Sequence, residues 1–515
     1  MKDTTLVLAA LALFGAGDAS AATHFTMKDG SVLTGDIQSQ KDGVYTIVTP
    51  YGTVNVPAGS IQSIDAVGES PRPAPLQTGP LRLAGSTTIG DELMPALLES
   101  YAAAKGAGDA EWTVEGDPSE QMLNAKGKNN AVFTAHLSRH GSATAFSALL
   151  ANNADLGMAS RPVNKDEIQK LQATPFGLAT APGQENVLAL DGLVVLVHKG
   201  NPLRRLSIDQ IASIFSGAVT DWSQVGGSPG PIHVYARDAK SGTGDTFNGI
   251  VMKGKTLVAS AQLEDGNDVL ADKVAADVGG VGYAGFAYVR GAKALSIVTD
   301  CGLSFPPSDF FVRTEEYPLS RRLFLYAPAT PTNAASHDFV DYALGPTGQD
   351  IAGKKGFVDL TPQYSSEAYG PNRVALALSD LNADSRESFE DLRTLQLFSR
   401  VATSSQRMTV TFRFQSGSSD LDSRAVRDID RVVEALKSPS LANREVAVLG
   451  FSDATGSPAQ NLRLSETRAA QIAGLLSARG VTPKLVTGYG RAAPVACNST
   501  PEGLEKNRRV EIWVH

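Results

Sequence analysis

Cysteine is almost missing from this chain, which has two residues, Cys301 and Cys497, among 515. No paired-cysteine metal motif can be built from them. An even count in an oxidising compartment invites a bridge, yet the two fall in different predicted domains, and a bond needs Cα atoms about 5.5 Å apart. Two separate thiols are therefore the expectation. Basic blocks are lacking too. The 46 Lys and Arg against 54 Asp and Glu leave a net charge of -8 and a pI near 5.5, which argues against a nucleic-acid partner. Beyond Leu6 to Phe14 no apolar run approaches membrane-spanning length, and no series of alternating ten-residue strands suggests an outer-membrane barrel. The G-x-S-x-G elbow and the P-loop are absent, so binding is favoured over catalysis. His136 and His140 stand four apart, but no glutamate lies between them and Gly141 ends the run. Neither a metal nor a cofactor is expected.

What is present reads in segments. A chain of 54.0 kDa is too long for one core and predicts about three domains. Lys2, the apolar run and Ala19-Ser20-Ala21 have the layout of a secretory signal over residues 1–21, so export and a periplasmic mature chain are expected. Residues 22–68 hold short strand-like runs separated by Asp29-Gly30, Asp42-Gly43 and Tyr51-Gly52, which are hairpin signals. They predict a small all-β module that resembles SH3-like or Sm-like barrels in length and rhythm only. Pro71, Pro73, Pro75 and Pro80 mark a stiff linker over 69–80. From 81 to 365 strands alternate with helical patterns, as in an open, mainly parallel α/β sheet, where ligands bind beyond the carboxyl ends of strands. A polar linker over 366–406 contains a helical pattern, Ser388 to Phe398. Residues 407–515 follow a β-α-β-α-β-β outline, with a second helix from Glu466, capped by Ser465, to Arg479 before Gly480.

Within 81–365 one arrangement recurs: a strand, a hydroxyl-bearing turn, then a helix. It occurs at Ser86-Thr87-Thr88, at Gly141-Ser142, and at Ser241-Gly242-Thr243, which Arg237 precedes. Helix N-termini carry unpaired N–H groups and favour negative charge, and arginine offers a two-pronged fork for oxygens. A single such turn is ordinary capping chemistry. Three of them could aim at one oxyanion using neutral donors, which suits a chain of net negative charge.

Longer stretches carry a resemblance. Asp191 to Val197, Asn201-Pro202-Leu203, Ile211 to Gly217, Thr220 to Gly227, the Arg237 turn, Gly280 to Tyr283, Tyr317 to Arg321, and Gly345 to Gly356 with Gln349 together resemble the phosphate-binding proteins of ABC importers. The resemblance implies a two-lobed α/β periplasmic-binding-protein fold hinged over one phosphate. By position it implies Ser86, Thr87, Thr88, Gly141, Ser142, Arg237, Ser241, Gly242 and Thr243 as ligands, with Asp238 either bracing Arg237 or exposed in its turn. Family members often carry a carboxylate where this chain has Ser160, followed by Arg161. Such an acceptor selects an oxyanion that still bears a proton over sulfate. The choice of oxyanion is thus open. Asp245, Asp155 or a carbonyl could replace the acceptor, and Arg161 stands between added positive charge and a surface salt bridge.

In the last domain Asp453 follows a strand, Asn461 is placed in a loop and Arg468 near a helix start, a spacing that favours a plain Asp453–Arg468 salt bridge and also suits a zwitterion. With Gly456, Leu464-Ser465, Ala469 and Asn507 to Ile512, these residues resemble the OmpA-like peptidoglycan-associating domain, of α+β type. That resemblance implies capture of diaminopimelate in peptidoglycan stem peptides, with Asp453 on the amine, Arg468 on the carboxylate, and Asn461 and Arg508 in the same groove. The combined expectation is a wall-associated periplasmic oxyanion-binding protein with an ABC importer membrane complex as its candidate partner. Its rivals are a structural envelope protein that has lost transport and a hydrolase of phosphorylated substrates.

Overall fold

The computed structural model describes residues 23–27, 32–41, 43–49, 52–66, 79–365 apart from 92, 129–130, 239–240 and 265, and 389–515 apart from 415–420. The expected export signal, most of the proline-rich linker and residues 366–388 of the second linker lie outside them. The chain divides into two compact units, residues 1–76 and 77–515. Among the described residues no helix is long and apolar enough to cross a membrane.

The first unit is an all-antiparallel sheet of five strands, in the order Gly52–Pro57, Val44–Thr49, Val32–Lys41, Thr23–Met27, Ile61–Ala66. Its core is Phe25, Ile47 and Val56. Of the hairpin signals in the sequence, Gly43 lies between two of these strands and Gly52 opens one, while Asp29-Gly30, Asp42 and Tyr51 lie outside the described residues.

The second unit contains a long mixed sheet. Leu81–Gly85 lies parallel to both Val132–Ser138 and Leu156–Ala159, and His233–Arg237 lies parallel to Gln262–Glu264 and Gly280–Gly285. These two parallel groups are joined by antiparallel strands, so the sheet is less parallel than the alternating pattern predicts. The joining strand Glu185–Val197 is thirteen residues long and nearly all buried. Its run of Val and Leu reads as a strand covered on both faces. Its first part pairs with Ser320–Tyr326 and its last part, Leu193 to Val197, with Gly280–Gly285. The strand Glu185–Val197 therefore runs from one lobe, built from 79–191 and 320–365, into the other, built from 192–319, and the chain returns at the start of Ser320–Tyr326. The crossing point is the register pair Asp191 and Arg321.

The C-terminal domain has the sheet order Gln406–Arg413, Arg509–Val514, Val446–Phe451, Leu485–Gly488. Helix Ser423–Lys437, capped by the Asp422 side chain, buries Ile429, Val432, Val433 and Leu436, each side chain contributing roughly 1.5–3 kcal/mol of transfer free energy. Helix Phe389–Ser404 belongs to this packing rather than to a linker, since Leu395, Phe398 and Ala402 sit against Leu449, Phe451 and Trp513. The second main helix begins earlier than expected, at Pro458 rather than Glu466. Ser457 and Gln460 form a capping box and Pro458 takes the first helical position, where its missing N–H costs nothing. Ser465 is accordingly no cap. It is buried in mid-helix and accepts a hydrogen bond from Gly490 N at 2.9 Å.

This domain is docked on both lobes. Arg427 pairs with Asp341 at 3.2 Å and Arg431 donates to the Leu344 carbonyl. On the other lobe Arg407 lies 2.6 Å from Glu316, Arg424 pairs with Glu315, and Arg413 donates to the Thr314 carbonyl at 3.0 Å. Arg322, on the strand Ser320–Tyr326, links Glu315 at 2.9 Å to Asp422 at 2.7 Å. Cys301 and Cys497 form a disulfide between the domains. The expectation of separate thiols is overturned because docking brings together two segments that sequence distance keeps apart.

Candidate functional site

The strand Leu81–Gly85 ends at Ser86, and a short helix, Thr87–Gly90, starts at once. In the other lobe His233–Arg237 leads through Ser241, whose hydroxyl accepts from Gly244 N, into the helix Gly242–Phe247. The two starts meet across the cleft. A Cβ on Gly242 would lie 1.7 Å from Thr88 Oγ1 and 2.8 Å from Thr88 N, so only glycine permits this approach. Thr88, Arg237, Ser241, Gly242 and Thr243 line one cavity of about 100 Å³ with Asp191. Arg237 is oriented by donation from Nε to the Glu264 carbonyl at 3.2 Å. Ser86 is buried and its hydroxyl has no hydrogen-bond partner among the described residues, an arrangement that costs free energy unless a ligand completes it.

Arg321 occupies the centre of this region. Its Nη2 donates to Thr88 Oγ1 at 3.0 Å and to the Gly242 carbonyl at 3.1 Å, one contact from each lobe, and to Asp191 Oδ2 at 3.0 Å. Burial works to lower the basicity of this guanidinium and outweighs the attraction of Asp191. Neither Arg321 nor Asp191 emerges as a ligand from sequence reasoning, although both lie in the stretches that carry the resemblance. Their roles depend on two strands pairing in register.

The remaining expected residues are placed differently. Gly141 takes a positive φ of 98° and opens the helix Ser142–Leu150. Ser142 accepts from Ser160 N at 2.9 Å and lies 3.0 Å from its hydroxyl. Ser160 and Arg161 face a second groove, between the domains, rather than the cavity with Thr88. Arg161 forms a two-pronged pair with Glu167 at 2.7 and 2.9 Å, the salt-bridge alternative. Asp155 is held by Arg82 and Thr332, and Asp245 is exposed in the first turn of its helix. Neither lines the cavity. His136 sits on a strand, not a helix, and both it and His140 bond Glu120. Among the described residues no group of three or more candidate ligands could hold a metal.

In the C-terminal domain Asp453 pairs with Arg508 at 2.8 Å rather than with Arg468. Burial acts to raise the Asp453 carboxyl, but Arg508 and the Thr455 amide hold it below the usual carboxylate range. Asn461 and Arg468 lie on one face of the helix Pro458–Ser477, seven residues apart, so Asn461 stands in the helix and not in a loop. Arg468 is 2 % exposed and its guanidinium lies over the Phe414 ring at 5.0 Å. Its Nε and Nη1, with Asn461 Nδ2 and Arg508 Nε, are buried without hydrogen-bond partners among the described residues. Burial, then the neighbouring Arg508, push its pKa down to about 10 against the pull of Asp453. Buried unsatisfied donors around a cation are costly in isolation and suit an anionic ligand group.

Comparison with known proteins finds matches to two parts of the chain. Protein SphX of Synechococcus elongatus is 29% identical over 254 residues, 47% of this chain and 74% of its own length. Phosphate-binding protein PstS of Pseudomonas aeruginosa is 27% identical over 245 residues, 44% of this chain and 75% of its own. Among solved structures, an ABC-type phosphate transport receptor from Vibrio cholerae aligns with a TM-score of 0.42 at 21% identity, over 54% of this chain and 99% of that one. The OmpA family matches residues 413–508. The PBP superfamily domain matches residues 80–347, more than half of the chain, and the protein therefore belongs to the PBP superfamily, with an OmpA family domain at its C-terminal end.

Proposed function

We propose that this protein binds inorganic phosphate, or a closely related oxyanion, between its two lobes, and associates noncovalently with peptidoglycan through its C-terminal domain. The observation that carries the first part is the meeting of two hydroxyl-bearing turns, one from each lobe, at a cavity that Arg237 also lines, with Arg321 tying the two turns together. Neutral donors plus a fixed guanidinium stabilise an oxyanion without a large desolvation cost. The names of the relatives, phosphate-binding proteins, support the same chemistry. The second part rests on the buried, unsatisfied donors of Arg468, Asn461 and Arg508 beside the Asp453 carboxylate, a pairing of charges that fits the zwitterionic end of diaminopimelate. In this reading the mature protein works in the periplasm at the wall and serves phosphate uptake or sensing, with an ABC importer as candidate partner. It acts as a binding protein and not as an enzyme.

Calorimetric titration of the full chain with phosphate and sulfate, after bound ligand is stripped, tests the first part. Tight phosphate binding, lost in Arg237→Ala, is expected. Co-sedimentation with purified sacculi tests the second, and Asp453→Ala should abolish it.

One observation favours a second reading. The C-terminal domain holds both lobes at once, through Asp341 and Leu344 on one side and Glu316 and Cys301 on the other, which opposes lobe opening. A structural envelope protein without transport would show normal pelleting and no heat with either anion.

A further inference from the structure

The disulfide between the lobe of residues 192–319 and the C-terminal domain has two unlike ends. Cys301 is exposed, in the turn between Ser296–Val298 and Ser304–Phe305, strands of a small sheet within that lobe. Cys497 is half-buried in a segment that its own domain fixes. The buried Asn507 side chain accepts from Val495 N at 2.8 Å and Ala496 N at 3.2 Å, and donates to the Ala496 carbonyl at 2.8 Å. The sulfurs differ as well. Cys497 Sγ accepts a hydrogen bond from the Cys301 N–H at 3.2 Å, whereas Cys301 Sγ lies 3.4 Å from the Thr299 hydroxyl.

The bond also stands where it restrains lobe movement. The C-terminal domain is fastened to the lobe of residues 79–191 and 320–365 by Thr409 N on the Gln363 carbonyl at 2.7 Å, Gln363 N on Thr409 Oγ1 at 2.9 Å and Ser423 Oγ on Glu185 at 2.5 Å. Its ion pairs with Glu315 and Glu316 involve a segment just ahead of Ser320. Arg313 in that segment is bound to Asp359 of the first lobe at 2.7 Å, and Glu315 pairs with Arg322 beside the crossing point, where rotation about a hinge displaces atoms least. Cys301 instead belongs to the body of the second lobe, so its bond ties that body to a domain already fixed on the first.

We propose that Cys301–Cys497 is a thiol–disulfide exchange site, and that its reduction by a dithiol frees the lobe of residues 192–319 and speeds entry and release of the oxyanion. The consequence for the ligand rests on the oxyanion reading of the cleft. A thiolate of the dithiol attacks the exposed Cys301 Sγ and forms a mixed disulfide. The bond to Cys497 breaks, and its electron pair leaves on Cys497 Sγ, where the Cys301 N–H stabilises the developing thiolate; a better-stabilised leaving thiolate departs faster. The second thiol of the reagent, as a thiolate, then attacks its own sulfur in the mixed disulfide. This closes an oxidised cyclic disulfide and expels Cys301 as a thiolate. Two electrons pass from the dithiol to the cysteine pair, and two protons restore both thiols.

The test uses the full chain, oxidised or treated with dithiothreitol, beside the Cys301→Ser/Cys497→Ser variant. Alkylation without denaturant counts the thiols, release of radiolabelled inorganic phosphate gives the exchange rate, and hydrogen exchange follows Thr87–Gly90 and Gly242–Phe247, the two helices whose starts meet across the cleft. In the reduced protein, release should be at least about tenfold faster, as expected when lobe opening limits it, and both helices should exchange faster. The variant should match the reduced protein and ignore the reductant. A bond that resists dithiothreitol in the folded protein overturns the proposal. So do equal release rates and equal hydrogen exchange in the oxidised and reduced forms, which leave the oxyanion reading standing. If neither form binds phosphate, the oxyanion reading fails, and hydrogen exchange alone decides: faster exchange on reduction upholds the lobe restraint, and unchanged exchange removes it.

Discussion

Cys301 and Cys497, separated by 196 positions, are bonded to each other with their Cα atoms 5.6 Å apart. The first belongs to the lobe built from 192–319 and the second to the C-terminal domain, so the covalent link joins the same two parts of the chain as the buried ion pairs of Glu315 and Glu316. Restricting so long a segment of the unfolded chain typically stabilises a fold by about 2–4 kcal/mol. Replacing both cysteines by serine should lower the denaturation midpoint by an equivalent amount. A reducing agent should bring the unsubstituted protein to the midpoint of the variant and leave the variant unchanged, as read by urea titration.

Glu315 gives the interface a pH dependence. Burial acts to raise its carboxyl, but Arg322, Arg424 and Arg413 together hold it well below the usual carboxylate range. Because the folded value is depressed, the associated stability is fully present above the ordinary value near 4.5 and is lost as pH falls below it. Glu315→Gln should cost about 3–5 kcal/mol at neutral pH, because it leaves buried guanidinium groups uncompensated. The variant should also lose less stability than the unsubstituted protein between pH 4.5 and pH 2, a difference that denaturant titrations across this range would measure.

Gly242 is the point at which a single methyl group should hold the lobes apart. An alanine Cβ there would overlap Thr88, with no positive φ to strain. If phosphate binds between the lobes, a thousandfold excess over Kd adds about 4 kcal/mol to the stability of the unsubstituted protein. Gly242→Ala should remove most of that gain and weaken binding at least tenfold, measured by thermal shift with and without phosphate.

Arg468 should trade stability for binding. Its guanidinium is buried with two unsatisfied donors, and an isosteric apolar side chain would remove that cost. Arg468→Met is expected to be neutral or more stable by about 1 kcal/mol in denaturant titrations, yet to fail to co-sediment with sacculi. A variant that is strongly destabilised, or that still pellets, would contradict this role.

The sequence by itself determined the local elements: the hydroxyl turns after Leu81–Gly85 and at Ser241, the hairpins of the first unit, and the resemblance carried by ordered stretches from Asp191 to Gly356. These are short-range patterns of burial period, turn chemistry and capping, and they can be read along the chain. Even a missed boundary, the helix start at Pro458, had its local signal in Ser457 and Gln460. Only the tertiary structure decided which turns face each other, because strand register and lobe crossing are set by contacts between distant segments. It placed Thr88 against Gly242, turned Ser142 and Ser160 toward one another, and brought Asp191 and Arg321 to the crossing point. The pairing of Asp453 with Arg508, and of Cys301 with Cys497, has the same origin. Both follow from packing that brings remote residues within bonding distance, where the energy of a contact outweighs the chain entropy of closing the loop between them.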